Sequence, residues 1–261
     1  MSCPYQNSLR IQYNYNTNDI ILKRCCLSEE FKIIKSYDEM INILKNNNFE
    51  EVISTMALFS NNECQNCSLK GQILPKITSI EVDIEKTCNL RCYHCFAPDH
   101  KKSLLSYNLY FKILETIKKI PLENISFTAY GEPFFYYTKI IDYLSELSNK
   151  NTKQVSFTTN LTLLNEPRIK KLKELSDTTQ IEYFFVCSID GITKETYENT
   201  RIGGNFEQVI DNLKILKKYF KNIWVSYTRK TPNLSDSEEN IYKFYQELNL
   251  PVSIYYDVID N

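Results

Sequence analysis

From residue 77 onward, short apolar runs alternate with stretches in which apolar residues recur every three or four positions. The runs ITSIEVDIE (77–85), NISFTAY (124–130), QVSFTT (154–159), IEYFFVCSID (181–190), NIWVSYT (222–228) and VSIYYD (252–257) read as strands. The intervening segments 106–120, 138–149, 166–176, 205–220 and 236–248 carry helical spacing, as in Leu109, Ile113, Leu114 and Ile117, or Val209, Leu213 and Leu216. Strands and helices in alternation predict an α/β fold with a parallel sheet and right-handed crossovers. Six strands predict a partial (β/α)6 barrel.

Side chains alternate across a strand, so each run also predicts two faces. Ile80, Val82 and Ile84 share one, Glu81, Asp83 and Glu85 the other. Val155 and Phe157 oppose Ser156, Thr158 and Asn160, while Ser188 and Asp190 oppose Cys187 and Ile189. The apolar faces are expected to meet the helices, with Cys187 a core thiol. The polar faces then line a wet cavity able to hold a polar ligand, where a closed barrel would pack Val, Ile and Leu.

The first 75 residues break this pattern. RIQYNYNTNDIILKRCC predicts a hairpin, followed by short helices at 38–46 and 48–59 and a loop, NNECQNCSLKG. The chain therefore divides into a Cys-rich piece, 1–75, and an α/β domain, 76–261. The smaller piece is too short for an ordinary core, and a metal would make it viable.

A hydrophobic fraction of 43% allows a sizeable core. A net charge of −1 without a basic stripe disfavours a nucleic-acid partner. No run approaches the roughly 18 apolar residues of a membrane span. The start, MSCPYQNSLR, lacks the features of a signal peptide. A cytoplasmic location is expected, so the nine cysteines are read as ligands, catalysts or core fillers before disulfides.

The densest chemistry is Cys88-Asn-Leu-Arg-Cys92-Tyr-His-Cys95, directly after the first barrel strand. Three such close cysteines can converge on one metal centre without help from distant sequence. Iron–sulfur clusters are usually held by four thiolates, so three would leave one iron open. The alternatives are a zinc site short of a ligand, or unconnected core thiols. Structural zinc sites favour C-x2-C pairs separated by a longer gap.

C-x3-C-x2-C after a first strand resembles the signature of the radical S-adenosylmethionine (SAM) superfamily, and the resemblance runs through residues 76–261. It implies a [4Fe–4S] cluster on Cys88, Cys92 and Cys95, with SAM chelating the open iron. Reductive cleavage of SAM would then give a 5′-deoxyadenosyl radical that abstracts a substrate hydrogen.

Other residues extend the resemblance. Tyr130-Gly131-Glu132-Pro133 is similar to the family's GGEP turn, which implies that its backbone and Glu132 receive the SAM amino group; Tyr130 replaces the first glycine. Thr159-Asn160-Leu161 resembles TNG, with Leu161 in place of glycine. Ser188-Ile-Asp190-Gly191 followed by Arg201 is similar to the SIDG…R pattern of branches that mature peptides and modify sugars. That pattern implies SAM contacts from Ser188 and Arg201, the Arg201 guanidinium meeting the methionine carboxylate. His94 takes the often aromatic place beside the cluster, where stacking on adenine and packing both remain open. Gly203-Gly204 predicts a tight turn into the helix at 205–220, with Asn205 as its N-cap.

The early cysteines resemble the SPASM or twitch auxiliary-cluster modules, although here they precede the barrel. The resemblance implies one auxiliary [4Fe–4S] cluster held by Cys25 or Cys26, Cys64 and Cys67, with Cys3 a further candidate. A four-cysteine zinc knuckle is the alternative. The chain is thus expected to be a radical SAM enzyme acting on a peptide or a small polar molecule such as a sugar, with a flavodoxin or ferredoxin as reductant. A non-enzymatic iron–sulfur electron carrier is the competing class.

Overall fold

The computed structural model describes residues 8–14, 19–23, 32–34, 78–83, 87–95, 104–118, 121–127, 131–147 and 151–256. Cys3, Cys25, Cys26, Cys64, Cys67, Tyr130, Ile84, Glu85 and the helices expected at 38–46 and 48–59 lie outside them.

The elements fall into two compact units. In the first, strands β1 (Ser8–Asn14) and β2 (Asp19–Lys23) form the expected hairpin, extended by β3 (Lys32–Ile34). β1 also runs parallel to β4 (Ser79–Asp83), with Ile11 opposite Val82. Helix α1 (Leu104–Ile117) follows in this unit, and β6 (Asn124–Phe127) pairs in parallel with β4. Ile80 and Val82 are buried, and so are Ile113, Leu114 and Ile117 of α1, so both apolar patterns face the core.

The second unit holds the short strand β5 (Arg91–Cys92), a 3-10 turn (Pro133–Tyr136) and helix α2 (Tyr137–Ser145). Strand β7 (Gln154–Thr159) runs from the first unit into the second. Then come α3 (Glu166–Thr179), β8 (Glu182–Ser188), α4 (Lys194–Thr200), β9 (Arg201–Ile202) and α5 (Phe206–Tyr219). β10 (Ile223–Arg229), α6 (Glu238–Glu247) and β11 (Val252–Tyr256) complete it. The strands of this unit lie in the order β7, β8, β10, β11, with β10 parallel to both neighbours. The fold is therefore a parallel-strand α/β sheet with helices, the arrangement of a partial barrel.

Burial alternates strictly along β7 and β8. Phe157 and Phe185 stack at 5.4 Å, and Phe134 and Phe220 close on them at 5.1 and 4.8 Å. Cys187 belongs to this buried side. Helix starts follow capping chemistry: Asn165 accepts from the Arg168 amide, and Asn205 from the Gln208 amide. Gly203 has φ +92°, as the expected turn requires. The pattern did not predict α4, whose seven residues span barely two turns. Thr193 caps it with a reciprocal box to Thr196. A Cβ on Gly191 would sit 2.2 Å from the Tyr197 amide nitrogen, so only glycine lets α4 approach the end of β8.

Candidate functional site

The carboxyl ends of β7 and β8, the loop Thr87–Cys95 and the segment Thr200–Gly204 all lie in the second unit. Leu90 is fully buried and anchors the loop. Arg91 ties its backbone by donating to the Cys88 and Leu90 carbonyls at 3.2 and 2.9 Å. The Cys95 amide closes a turn on the Cys92 carbonyl at 3.1 Å. Cys88, Cys92 and Cys95 remain partly exposed, as ligands to an added group must be.

Donors point at the Cys88 and Cys92 sulfurs. The Leu90 amide is 3.4 Å from Cys88 Sγ, and Asn160 Nδ2 is 3.7 Å from it. Arg201 Nη1 is 3.6 Å from Cys92 Sγ. Burial pushes the Cys88 thiol up to about 11, against the opposing pull of the Leu90 amide. Burial also raises Cys92, with Arg201 pulling the other way. Unligated, these thiols keep their protons; bound to iron they become thiolates, which these donors suit. Among the described residues, no three His, Cys, Asp or Glu side chains are gathered tightly enough for a single metal ion. A cubane instead gives each thiolate its own iron, so the loop's donor set fits a cluster.

Arg201 reaches Cys92 across 109 residues because of a two-residue antiparallel ladder. β5 pairs with β9, Cys92 opposite Arg201, and the Tyr93 amide adds a 2.8 Å bond to the Thr200 carbonyl. Arg201 is 7% exposed and Asp190 fully buried, with Arg201 Nη2 2.6 Å from Asp190 Oδ2. Burial disfavours the Arg201 charge, but Asp190, Cys92 and Tyr197 together outweigh this and hold the guanidinium protonated. His94 Nε2 lies 3.3 Å from the same carboxylate oxygen. Asp190 Oδ1 accepts from the Thr228 amide at 2.7 Å, and its carbonyl accepts from Asn233 Nδ2 at 3.0 Å. Arg201 Nε is buried without a hydrogen-bond partner among the described residues.

Glu132 turns its carboxylate toward protein donors. Oε1 accepts from the Phe134 amide at 3.1 Å and the Thr159 hydroxyl at 2.8 Å, and Oε2 from the Asn160 amide at 2.7 Å. The Glu132 amide donates to the Thr87 carbonyl at 2.9 Å. Pro133 is buried in the turn that Glu132 caps, and Gly131 is half-buried beside it. Asn160 accepts from the Thr162 amide and hydroxyl and donates to Asn89 Oδ1, so the β7 end is tied to the cysteine loop. Leu161 is fully buried at φ +65°, a left-handed conformation that favours glycine, the residue it replaces in the resembled motif. Ser188 is half-buried at the β8 end, in register with Ser226.

The structure thus brings together Cys88 with Asn160, Cys92 with Arg201, and His94 and Arg201 with Asp190. Asn89, Thr87, Thr162, Thr228 and Asn233 join them without having been singled out from the sequence. Asn89 had a signal, its place inside the cysteine motif; the others are common polar residues in no motif.

A parallel α/β sheet with thiols on the loop after its first barrel strand, and polar groups gathered at strand ends, defines a class of cluster-binding barrel. The match to the Radical SAM superfamily over residues 84–245 places the chain in that superfamily. An uncharacterised protein of Methanocaldococcus jannaschii is 27% identical over 171 residues, covering 64% of this chain and 52% of the relative. A probable GTP 3′,8-cyclase of Methanococcus maripaludis is 29% identical over 139 residues, covering 51% and 43%. The chain thus spans about half the length of these curated relatives. Among solved structures, anSMEcpe with bound AdoMet and the Cp18Cys peptide matches with TM-score 0.52 at 21% identity, over 68% of this chain and 50% of that one. Streptococcus suis SuiB bound to precursor peptide SuiA matches with TM-score 0.51 at 14% identity, over 98% and 63%. These two likenesses are of fold. Among the described residues, no helix is long and apolar enough to cross a membrane.

Proposed function

We propose that this chain is a radical SAM enzyme that holds a [4Fe–4S] cluster on Cys88, Cys92 and Cys95 and acts on a peptide. The carrying observation is the cysteine loop with Arg201 and Asn160 donating to two of its sulfurs. When bound, the cluster and SAM supply an electron and a cleavable C5′–S bond, and so a carbon radical that takes hydrogen from the substrate. The protein's part is placement. Arg201, with Nε unpartnered, is suited to the SAM carboxylate. Glu132 ties the Gly131–Pro133 turn to the end of β7, leaving that turn's main chain to meet the amino group. Ser188 faces the same strand-end region.

Peptides in the structures of anSMEcpe and SuiB support the peptide reading. A small polar substrate is the second reading, favoured by the relatives named probable GTP 3′,8-cyclases. We assign the cysteines of residues 1–75 to an auxiliary cluster, with zinc as the alternative, and a flavodoxin or ferredoxin as reductant.

The test is anaerobic reconstitution followed by reduction with SAM present. Conversion of SAM to 5′-deoxyadenosine and methionine is the expected result. Candidate peptides and nucleotides bearing deuterium at carbon then separate the two substrate readings by label transfer into 5′-deoxyadenosine. An intact cluster that yields none, with candidates present, would sink the proposal.

A further inference from the structure

We infer that Arg201 and Asp190 form an opposed charge pair that sets the reduction potential of the cluster through Cys92, apart from any contact with SAM. The inference rests on the reading of Cys88, Cys92 and Cys95 as cluster ligands.

Three observations carry it. Arg201 Nη1 lies 3.6 Å from Cys92 Sγ, and the β5–β9 ladder holds the two residues opposite each other. The guanidinium is therefore fixed at this sulfur by backbone pairing before any ligand arrives. Asp190 lies on the far side of the same guanidinium, 2.6 Å from Nη2, and is itself held by the Thr228 amide and by His94. Both charges are buried, where solvent screens them little.

Hydrogen bonds and charge near the sulfurs tune an iron–sulfur potential. Reduction adds one negative charge to the cluster. A cation at Cys92 stabilises the reduced form and raises the potential, and an anion behind that cation offsets part of the effect. The two residues thus act with opposite sign, which a role confined to holding SAM does not require. Asn160, 3.7 Å from Cys88 Sγ, is a weaker, uncharged donor on the other side of the loop.

The experiment is an anaerobic redox titration of the reconstituted protein without SAM, followed by absorbance and by the EPR signal of the reduced cluster. Iron content is measured in parallel. Arg201→Gln is expected to lower the reduction equilibrium constant tenfold or more, about 59 mV for one electron. Asp190→Asn is expected to raise it by a smaller factor. Arg201→Gln combined with Asp190→Asn removes both charges and should return the potential toward the parent, as should Arg201→Lys. The combined variant also leaves no buried unpaired charge, so it guards against a failure of Arg201→Gln to fold. Shifts of the same sign in the two single variants, or an unmoved potential with iron and EPR signal intact, would overturn the inference. A parent protein that takes up no cluster would overturn the ligand reading beneath it.

Discussion

Glu132 couples the candidate site to pH in a way that can be worked from its surroundings. Its carboxyl is 2% exposed, and burial pushes it up from 4.5 to about 7. The Asn160 amide, the Thr159 hydroxyl, the Phe134 amide and Arg201 pull it back, but burial wins. Between pH 4.5 and about 7 the folded chain keeps this proton while the unfolded chain has released it. Stability is therefore full below pH 4.5 and falls as pH rises through about 7, by about 3 kcal/mol for this group. Glu132→Gln removes the titration but sets an amide among donors. The Asn160 amide, now 2.7 Å from Oε2, or the pair on Oε1 would face an N–H, at a cost of about 1–3 kcal/mol. Urea melts of the cluster-free protein under reductant should give the parent the advantage at low pH. That advantage should shrink or reverse at about pH 8. Taking the difference between the two proteins cancels other titrating groups common to both. A difference that stays constant across this range would refute the reasoning.

Leu161 should invert the usual order of truncations. Leu161→Ala loses a buried side chain at about 3–5 kcal/mol and keeps the left-handed backbone, whereas Leu161→Gly releases a strain of about 1–2 kcal/mol. In urea melts the glycine variant is expected to be the more stable of the two by about 1 kcal/mol, and an alanine variant at least as stable would mean that no strain is held there. For the early cysteines, a variant with Cys88→Ala, Cys92→Ala and Cys95→Ala should stay brown with about four irons per chain. A colourless protein carrying one zinc would replace the auxiliary cluster by a knuckle.

What the sequence made legible was local. The cysteine loop spans eight residues after a strand, and strand alternation in QVSFTT and EYFFVCS marked the buried face directly. Helix α5 and its Asn205 cap were equally readable, because periodicity and capping act within a few residues. The contact of Arg201 with Cys92 was not. It depends on a two-residue ladder whose strands are too short to leave a pattern, and on α4, which is only seven residues long. The sequence marked Glu132 by its turn, yet two of the three donors to its carboxylate come from Thr159 and Asn160, 27 and 28 residues further along the chain. The resemblance to SIDG…R placed Ser188, Asp190 and Arg201 at strand ends without telling that Asp190 grips Arg201 and His94.

The β5–β9 ladder also decides what could be transplanted. An engineer who moved Cys88–Cys95 alone into another barrel would carry the thiols but leave behind the strand that braces them. The Cys92 side would lose its cross-strand partner, and the Tyr93 amide its acceptor at Thr200. A cassette that keeps the ladder is discontinuous. It comprises the loop from Thr87 to Cys95 and the segment from Asp190 to Asn205, with Gly191 kept as glycine so that Tyr197 can close against it.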